Sequence, residues 1–375
     1  MRPRVPEPTE EAAARLAEQV KRLGTRAGAA VEGAGAGLPS PAELTALIEA
    51  RLRSAVAHDE LAKPLASQTA REGHRIALEV AEGGRRFDDL SSADLANLEA
   101  VISVVGRPSW LVQNGFPLYD APTREDEVWI TRSASVRREI REACGRVGCI
   151  VLQDDERRPI GTGWLLSPRR LVTNAHVASR IFRRRLQFPP TDPHDGWRLP
   201  PGIEAFVDFC FERDQQAGLP FKLGMPLFIE PDPEHQPDIA VIEVEQVGGG
   251  LLLPSHIEIK EAFAPPQPGV DYDVLTIGHP IKDEANDPNV PLVFGALDGT
   301  KRLSPGRVIR ALDSRTVAHD CSTTNGSSGS PLLDFASLKA IGLHYWGQPG
   351  KRNEAVILGA ISDHPAIRRG LAQEG

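Results

Sequence analysis

Apolar residues recur at helical spacing in the first third of the chain. A Ser-Pro-Ala-Glu capping box at residues 40–43 stands ahead of apolar residues spaced four apart, which predicts a helix that begins there. A second capping box, Ser-Ser-Ala-Asp at residues 91–94, precedes apolar residues at spacings of three and four. Residues 40–120 are therefore predicted to form a small, mainly helical domain.

Breaks in this pattern mark the ends of the helical domain. Residues 1–39 are polar with Ala and Leu at helical intervals and then run into alternating Gly and Ala, which predicts a frayed helix and a hinge. A Gly-Arg-Pro break at residues 106–108 is followed by a short predicted strand at residues 110–112 and by the turn dipeptide Asn-Gly. Residues 121–144 are then predicted to be a connecting helix or linker.

The pattern changes near Cys149 to short apolar runs separated by Gly, Pro and Asp, which is typical of strands and turns. Helical patterns do not intervene, so the sequence predicts an antiparallel barrel or sandwich over residues 145–375. The predicted strands are 163–166, 171–173, 239–244, 274–277, 308–311 and 340–344.

The composition fits a soluble chain of more than one domain. At 375 residues the chain exceeds the usual size of a single domain, and its 34 Gly and 32 Pro favour turns over long helices. The formal net charge of -8 gives no attraction for polyanions, so nucleic acid is not expected as a partner.

Signals for targeting, disulfides and metals are weak. The first 20 residues lack the apolar core of a signal peptide, and no run approaches the roughly 18 apolar residues that span a bilayer. The 4 cysteines are too few for a disulfide scaffold and form no paired Cys-x-x-Cys pattern, and no histidine lies in His-Glu-x-x-His. We therefore expect a cytoplasmic protein with no membrane partner, no metal and no cofactor.

The hexapeptide Gly-Ser-Ser-Gly-Ser-Pro at residues 326–331 has the composition of a nucleophile turn. Small neighbours of Ser328 let the backbone pack closely around a reacting carbonyl, and the amides of Gly326 and Ser328 are candidate donors to an oxyanion. A serine is a weak nucleophile at neutral pH, so it needs a histidine base within hydrogen-bond reach. A run rich in Gly and Ser is also typical of an ordinary loop, so this prediction depends on partners elsewhere in the chain.

A candidate base follows the predicted strand at residues 171–173. The sequence Leu-Val-Thr-Asn-Ala leads there to His176, and the small residues before it leave room around the imidazole. A single histidine after a strand is otherwise commonly structural, so only its local sequence distinguishes this one.

An orienting carboxylate is expected at the start of a buried strand, where it is shielded from water. Asp238 fits because the apolar run Ile-Ala-Val-Ile follows it directly. The alternatives are Asp232, which lies in a Pro-rich loop, and Asp271 and Asp273, which lack an equally apolar strand directly behind them.

Three motifs occur in order along the chain: Thr-Asn-Ala-His ending at His176, Asp-Ile-Ala starting at Asp238, and the hexapeptide around Ser328. Together they resemble the trypsin-like serine peptidases. More narrowly, Ser-Thr-Thr at residues 322–324 and Ile-Gly-Leu-His-Tyr at residues 341–345 resemble the bacterial V8-type glutamyl endopeptidases. The resemblance covers the β-rich part of the chain and implies a mainly β fold, a double six-stranded antiparallel β-barrel of the chymotrypsin-like kind behind the helical N-terminal domain.

The resemblance implies a serine endopeptidase that acts on protein or peptide substrates. His176 is then the general base, Asp238 its orienter, and Ser328 the nucleophile that forms an acyl-enzyme, which water hydrolyses by the reverse proton path. A strand of three residues pairs with the extended substrate, and its glycine leaves the pocket open. These three residues are Tyr345, Trp346 and Gly347.

The resemblance also implies which substrate side chain precedes the scissile bond. The residue six positions before the serine is decisive in such enzymes, and here it is Ser322. Because no carboxylate stands there, a preference for Arg or Lys is not expected. Thr323 and His344 match residues that bind an acidic side chain, which predicts a preference for Glu or Asp. His344 also fits a structural histidine inside a barrel.

Two departures from the resemblance concern activation. Ser327 occupies the position of the aspartate that in trypsin pairs with a freshly cut N-terminal amine, so that activation route is absent. The V8-type enzymes place a mature N-terminal amine near the pocket, whereas this chain has about 145 residues ahead of its predicted barrels. Either cleavage creates a new terminus or the pocket is completed differently.

The predicted N-terminal domain carries no cluster of catalytic type, so we expect it to regulate the peptidase, with a regulatory protein partner bound through it. A folding aid or a passive spacer is the alternative.

A different class of function is a catalytically silent, peptidase-like adaptor that binds peptides at a strand edge. An esterase of the α/β-hydrolase kind is not favoured, because the chain order is His, Asp, Ser.

Overall fold

The computed structural model describes most of the chain after residue 38. The described residues are 39–53, 59–82, 84–86, 89–119, 126–153, 156–184, 196–215, 220–245, 252–267, 270–282, 294, 296–348 and 352–372. The predicted frayed helix and hinge in residues 1–38 lie outside this part of the chain. Among the described residues, no helix combines the length and the apolar character needed to cross a membrane.

The N-terminal region contains the helices α1 (Pro41–Arg53), α2 (Asp59–Ala81) and α3 (Ser92–Gly106). Both predicted capping boxes are present. The amide of Ser40 donates to the carboxylate of Glu43 at 2.7 Å, and the amide of Asp94 donates to the hydroxyl of Ser91 at 3.1 Å. Each cap satisfies amides that the first turn leaves without partners, which stabilises a helix by about 1 kcal/mol.

Helix α2 was not predicted from the sequence. Its buried face is made of alanines, Ala62, Ala66 and Ala70, which pack in one cluster with apolar residues of α1 and α3. Small residues at this spacing give weak hydrophobic periodicity, although they let helices approach closely. At Gly73 a side-chain carbon would lie 2.4 Å from the carbonyl oxygen of Asn97 in α3.

Helices α4 (Asp126–Ser135) and α5 (Arg137–Arg146) lead into the first barrel. This barrel is closed, with six antiparallel strands in the order β10-β5-β4-β3-β8-β9, and helix α6 follows β5. Its elements are β3 (Val147–Gln153), β4 (Arg157–Ser167), β5 (Arg170–Thr173), α6 (Ala175–Ile181), β8 (Glu204–Asp208), β9 (Pro220–Ile229) and β10 (Ala240–Val244). Between α6 and β8 the chain forms a small hairpin of β6 (Arg183–Arg184) and β7 (Trp197–Arg198).

The second barrel has the strand order β11-β14-β15-β16-β13-β12 and closes because β11 also pairs with β12. Its strands are β11 (Tyr272–Gly278), β12 (Arg302–Ala311), β13 (Thr316–His319), β14 (Pro331–Asp334), β15 (Ala340–Gln348) and β16 (Arg352–Ile357). A short 3₁₀ helix (Gly359–Ile361) and helix α7 (Pro365–Leu371) follow. The two six-stranded barrels confirm the predicted chymotrypsin-like fold class.

Strand β1 (Trp110–Gln113) begins a hairpin with β2 (Phe116–Pro117), joined by the predicted turn at Asn114 and Gly115, which have φ angles of 52° and 73°. β1 pairs with β12, so this hairpin extends the sheet of the second barrel. The N-terminal region is thereby attached to the second barrel through main-chain hydrogen bonds. The predicted domain boundaries stay a prediction.

The packing joins the helices and both barrels. One apolar cluster contains Trp129 of α4, Ile140 of α5, Trp164 of β4 and Leu275 of β11, all of them buried. A separate cluster fills the interior of the first barrel. Since burial of a large apolar side chain contributes about 1.5–3 kcal/mol, the first of these clusters holds the helices and the two barrels together.

A buried lysine lies where α5 and the two barrels meet. The Nζ atom of Lys301 donates to the carbonyl oxygens of Cys144 and Phe209 at 2.7 and 2.6 Å, and it lies 3.1 Å from the Glu212 carboxylate. Lys301 is fully buried, and the Glu212 side chain is 7% exposed. The other carboxylate oxygen of Glu212 accepts the amide of Gly115 at 2.8 Å. These contacts tie the β1–β2 turn to the junction of the barrels.

Candidate active site

His176 lies in the first turn of helix α6, directly after strand β5. Thr173 ends β5 and pairs with Ala240 at the start of β10, which brings the residues before β10 close to the start of the helix. Asn174 is buried, and its Nδ2 donates to the main-chain oxygen of Asp238 at 2.8 Å. The strand pairing and this side chain therefore fix Asp238 beside His176.

Both carboxylate oxygens of Asp238 contact His176. Oδ2 lies 2.6 Å from the ring Nδ1, and Oδ1 accepts the main-chain amide at 3.1 Å. The carboxylate is 6% exposed, whereas the imidazole is 43% exposed. A shielded carboxylate on Nδ1 holds the ring with its proton on that atom and leaves Nε2 as the nitrogen that can accept a proton.

Ser328 lies in a tight turn between β13 and β14, flanked by two glycines in the left-handed region. Gly326 has a φ of 86° and Gly329 a φ of 88°. A side-chain carbon would lie 2.3 Å from the carbonyl oxygen of His279 at position 326, and 2.0 Å from that of Thr162 at position 329. Both the conformation and the space therefore require glycine.

The main-chain amides of this turn fall into two groups. Three of them donate to carbonyl oxygens at 2.9–3.0 Å: Ser327 to Thr324, Gly329 to His344, and Ser330 to Ser327. The amides of Gly326 and Ser328, the predicted oxyanion donors, have no protein acceptor among the residues that the structure describes. An amide without a protein acceptor is available to an incoming oxygen.

Thr162 of β4 connects the serine turn to the first barrel. Its amide donates to the carbonyl of Ser328 at 3.0 Å, and its hydroxyl donates to the carbonyl of Gly326 at 2.7 Å. Its own carbonyl accepts the hydroxyl of Thr173 at 2.7 Å. Thr173 ends the strand that leads to His176. One residue thus contacts both the turn with Ser328 and the strand end before His176.

The predicted pocket residues Ser322 and Thr323 lie between β13 and the serine turn. The hydroxyl of Ser322 donates to the carbonyl of Arg107 at 2.8 Å, and that of Thr323 donates to Oδ1 of Asn353 at 2.7 Å. The Nδ2 atom of Asn353 donates in turn to the carbonyl of Cys321 at 2.6 Å. Groups from the end of α3 and from β16 therefore hold this segment in place.

Strand β15 contains the three residues predicted to pair with substrate, Tyr345, Trp346 and Gly347. It pairs with β16, with an irregularity between His344 and Trp346. At position 347 a side-chain carbon would lie 2.2 Å from Oδ1 of Asn353 and 3.2 Å from the hydroxyl of Thr323. Glycine at this position therefore lets β15 approach the segment with Ser322 and Thr323 closely.

His344 is buried against a second histidine. Its Nδ1 lies 3.2 Å from Nε2 of His319 on β13. Burial, together with the nearby charge of His176, lowers the pKa of His344 to about 3. Burial and the neighbouring His344 lower the pKa of His319 well below its usual 6.5. Both rings are therefore neutral at neutral pH.

Four residues of the site were not predicted from the sequence: Arg107, Thr162, His319 and Asn353. The run Gly-Thr-Gly at residues 161–163 carried a local signal for Thr162, because glycines inside a strand often mark a close backbone approach. The other three reach the site only through strand pairing or through the chain that crosses from α3 to β1.

Among the described residues, no group of three or more His, Cys, Asp or Glu side chains is arranged to hold a metal ion.

Residues 161–343 match the family model of the trypsin-like peptidase domain. The match runs from β4 to β15 and includes His176, Asp238 and Ser328. It covers just under half of the 375 residues, so this part of the chain is similar to the trypsin-like peptidase domain.

Parts of the chain are also similar to solved structures. The serine endoprotease from Yersinia pestis is 18% identical, with a TM-score of 0.40 over 64% of this chain and 67% of that chain. The Rv3671c protease from M. tuberculosis, in its active form, is 17% identical, with a TM-score of 0.39 over 66% of this chain and 88% of that chain. No curated protein matches this sequence.

Proposed function

We propose that this chain is a serine endopeptidase in which Ser328 is the nucleophile, His176 the general base and Asp238 the group that orients the base. The observation that supports this most is the pair of contacts between Asp238 and His176, at 2.6 and 3.1 Å. The link through Thr162 between the serine turn and the strand before His176 supports it further.

In the proposed reaction, Nε2 of His176 takes the proton of Ser328 while the hydroxyl oxygen attacks the carbonyl carbon of the scissile peptide bond. The carbonyl oxygen becomes negative and accepts hydrogen bonds from the amides of Gly326 and Ser328, where one such donor contributes roughly 10²–10³-fold to turnover. The imidazolium then gives its proton to the leaving amine. Water then attacks the carbonyl carbon of the acyl-enzyme while His176 takes one of its protons. The bond between that carbon and Oγ of Ser328 breaks, the imidazolium returns the proton to Oγ, and the carboxylic acid product leaves.

A fluorophosphonate probe tests the nucleophile directly, because it reacts only with an activated serine. We expect the full chain to be labelled and Ser328→Ala to remain unlabelled with its fold intact. Ser330→Ala is the matched control, since this hydroxyl belongs to the same hexapeptide and has no hydrogen-bond partner among the described residues. A chain that binds peptides without reacting with the probe would instead be the catalytically silent adaptor.

We infer further that the pocket formed by Ser322, Thr323 and His344 prefers a Glu or Asp side chain before the scissile bond, as in the V8-type enzymes. One observation supports this preference: none of the three side chains is acidic, so nothing in this set repels a substrate carboxylate. A peptide-library profile of the cleavage sites tests it, and a profile dominated by basic or aromatic residues would contradict it.

We also propose that the N-terminal helical region regulates this activity, with a partner protein bound through it. The pairing of β1 with β12 and the bond from Ser322 to Arg107 support a direct influence of this region on the pocket. Deletion of residues 1–120 should therefore change turnover of a peptide substrate. Equal turnover in the full chain and in the truncated chain would contradict the proposal.

A further inference from the structure

Residues 107–109 cross from helix α3 to strand β1 and lie against the second barrel. The carbonyl of Ser109 accepts Nη1 of Arg302 at 3.2 Å, and its hydroxyl contacts the hydroxyl of Ser304 at 3.0 Å. Ser109 is buried, and both of its partners lie on β12. The crossing segment is therefore a fixed part of the surface of the barrel.

The hydroxyls of the two predicted pocket residues already donate hydrogen bonds within the protein. The proton of the Ser322 hydroxyl lies in the 2.8 Å bond to the carbonyl of Arg107, and that of Thr323 in the 2.7 Å bond to Asn353. A hydroxyl has only one proton to donate. Neither side chain can therefore donate to a substrate carboxylate without breaking a bond that it makes in this structure.

The two histidines also lack the charge that a carboxylate needs. His344 and His319 are buried and neutral near pH 7, because burial keeps their pKa values far below the usual 6.5. A carboxylate that leaves water without a positive partner is strongly disfavoured. A pocket that accepts Glu or Asp therefore requires a cation from another residue.

Arg107 has the required charge and position. Its main-chain oxygen is bound by Ser322, and its Nε is buried without a hydrogen-bond partner among the described residues. Burial raises the pKa of Cys321, which precedes Ser322, well above its usual value. The charge of Asp320 raises this pKa as well, whereas the charge of Arg107 lowers it. The Asp320 carboxylate accepts the amide of Arg307 at 2.6 Å. The hydrogen bond from the Ser322 hydroxyl to the carbonyl of Arg107 thus places Arg107 beside the pocket segment.

We propose that Arg107 is a specificity-determining residue, whose guanidinium binds the carboxylate of an acidic substrate side chain beside Ser322. This inference rests on the peptidase function proposed above, and it makes the helical N-terminal region part of the substrate site. A guanidinium stays charged across the accessible pH range and binds a carboxylate through two parallel N–H···O bonds. The preference for acidic side chains then does not require protonation of the buried histidines.

The test compares two peptide substrates that differ only in Glu or Gln before the scissile bond. Arg107→Gln should lower the ratio of kcat/KM for Glu over Gln by roughly 10- to 100-fold, which is the range for a charged hydrogen bond. Arg107→Lys should retain part of the ratio. Arg85→Gln is the matched control, because Arg85 belongs to the same region but bonds to Asp94 at 2.8 Å, within that region. An unchanged ratio in Arg107→Gln overturns the inference.

A second measurement separates this inference from the proposed function. Peptides that end in Glu or Gln are bound to the Ser328→Ala chain, with and without Arg107→Gln, and the Kd values are measured by fluorescence anisotropy. Tighter binding of the Glu peptide that depends on Arg107 supports the inference even if the native chain hydrolyses nothing, an outcome that rejects only the peptidase. Equal affinities for both peptides reject the inference, whether or not hydrolysis occurs. The midpoint of thermal unfolding of each variant shows whether the fold is kept.

Discussion

The ring of His176 and its own main-chain amide both hydrogen-bond to Asp238, at 2.6 and 3.1 Å. One residue thus uses both oxygens of a carboxylate. An amide side chain at position 238 has only one oxygen, so if that oxygen keeps the main-chain bond its NH₂ group must face Nδ1. Nδ1 then has to accept a hydrogen bond from this group, which moves the ring proton to Nε2. Nε2 can therefore no longer accept the proton of Ser328.

Asp238→Asn is therefore expected to lower kcat by about 10⁴-fold while the fold is kept. Steady-state kinetics on a peptide substrate and the rate of labelling by a fluorophosphonate measure this loss. Asp232→Asn is the matched control, because Asp232 makes a similar 2.9 Å contact with His235 in an exposed position. Near-normal turnover of Asp238→Asn would show that the carboxylate does not set the tautomer of His176.

Glycine at position 329 is the subject of a second prediction. Gly329→Ala meets both an unfavourable φ of 88° and a 2.0 Å approach to the carbonyl of Thr162. We expect a loss of about 3 kcal/mol or more in the free energy of unfolding, together with loss of activity, because the serine turn must move. Denaturation in urea measures the change in stability.

Two other glycines separate conformation from crowding. Gly202 has a φ of 80° with nothing within 4 Å, so Gly202→Ala should cost about 1 kcal/mol from conformation alone. Gly145 also has nothing within 4 Å and lies in helix α5 without a positive φ, so Gly145→Ala should stabilise by about 0.5 kcal/mol. Equal effects at positions 202 and 329 would mean that crowding against Thr162 is unimportant.

Local signals in the sequence were sufficient for much of the fold. The capping boxes at Ser40 and Ser91 begin helices α1 and α3, and the apolar runs at residues 171–173 and 274–277 lie in strands β5 and β11. Each of these signals depends on residues a few positions apart, which is why a sequence pattern can express it. The alanine face of α2 gave no such signal, since alanine contributes little to a hydrophobic periodicity.

Contacts between distant segments could not be predicted in the same way. Ser322 and Arg107 are 215 positions apart, and their hydrogen bond follows from the pairing of β1 with β12. Asn353 reaches Thr323 because β16 lies beside β13. The sequence identified candidate chemistry at His176 through the residues next to it, whereas the residues that surround the pocket are brought there by the closure of the second barrel.

Lys301 provides a third prediction. Lys301→Met leaves the Glu212 carboxylate and two carbonyl oxygens without their 2.6–3.1 Å donor in a buried place. We expect a loss of about 3–5 kcal/mol in the free energy of unfolding, because an uncompensated buried charge is costly. Urea denaturation of the full chain gives this value.

The double variant Lys301→Met with Glu212→Gln should recover part of the lost free energy of unfolding, since the isolated charge is then removed. A double variant no more stable than the single one would mean that the lost bonds to the carbonyl oxygens, and not the charge, account for the effect.

The neutral histidine pair predicts how stability depends on pH. Burial lowers the pKa of His344 to about 3 and that of His319 well below 6.5, so the unfolded chain binds more protons than the folded chain as the pH falls below 6.5. Stability from these residues is therefore present above pH 6.5 and is lost on acidification, at about 1.4 kcal/mol per pH unit for each histidine. Urea denaturation between pH 4.5 and pH 7.5 (roughly the window in which an unfolded histidine titrates) measures this slope.

His319→Leu should make that slope shallower by about one histidine's share, although it lowers stability at pH 7 because Nδ1 of His344 loses its 3.2 Å partner. His235→Leu serves as the control. A hydrogen bond to Asp232 raises the pKa of this exposed histidine, so it contributes stability at low pH that disappears as the pH rises. Its removal should make the loss of stability on acidification steeper, not shallower. Parallel pH profiles for the native chain and His319→Leu would mean that the folded and unfolded states titrate His319 alike.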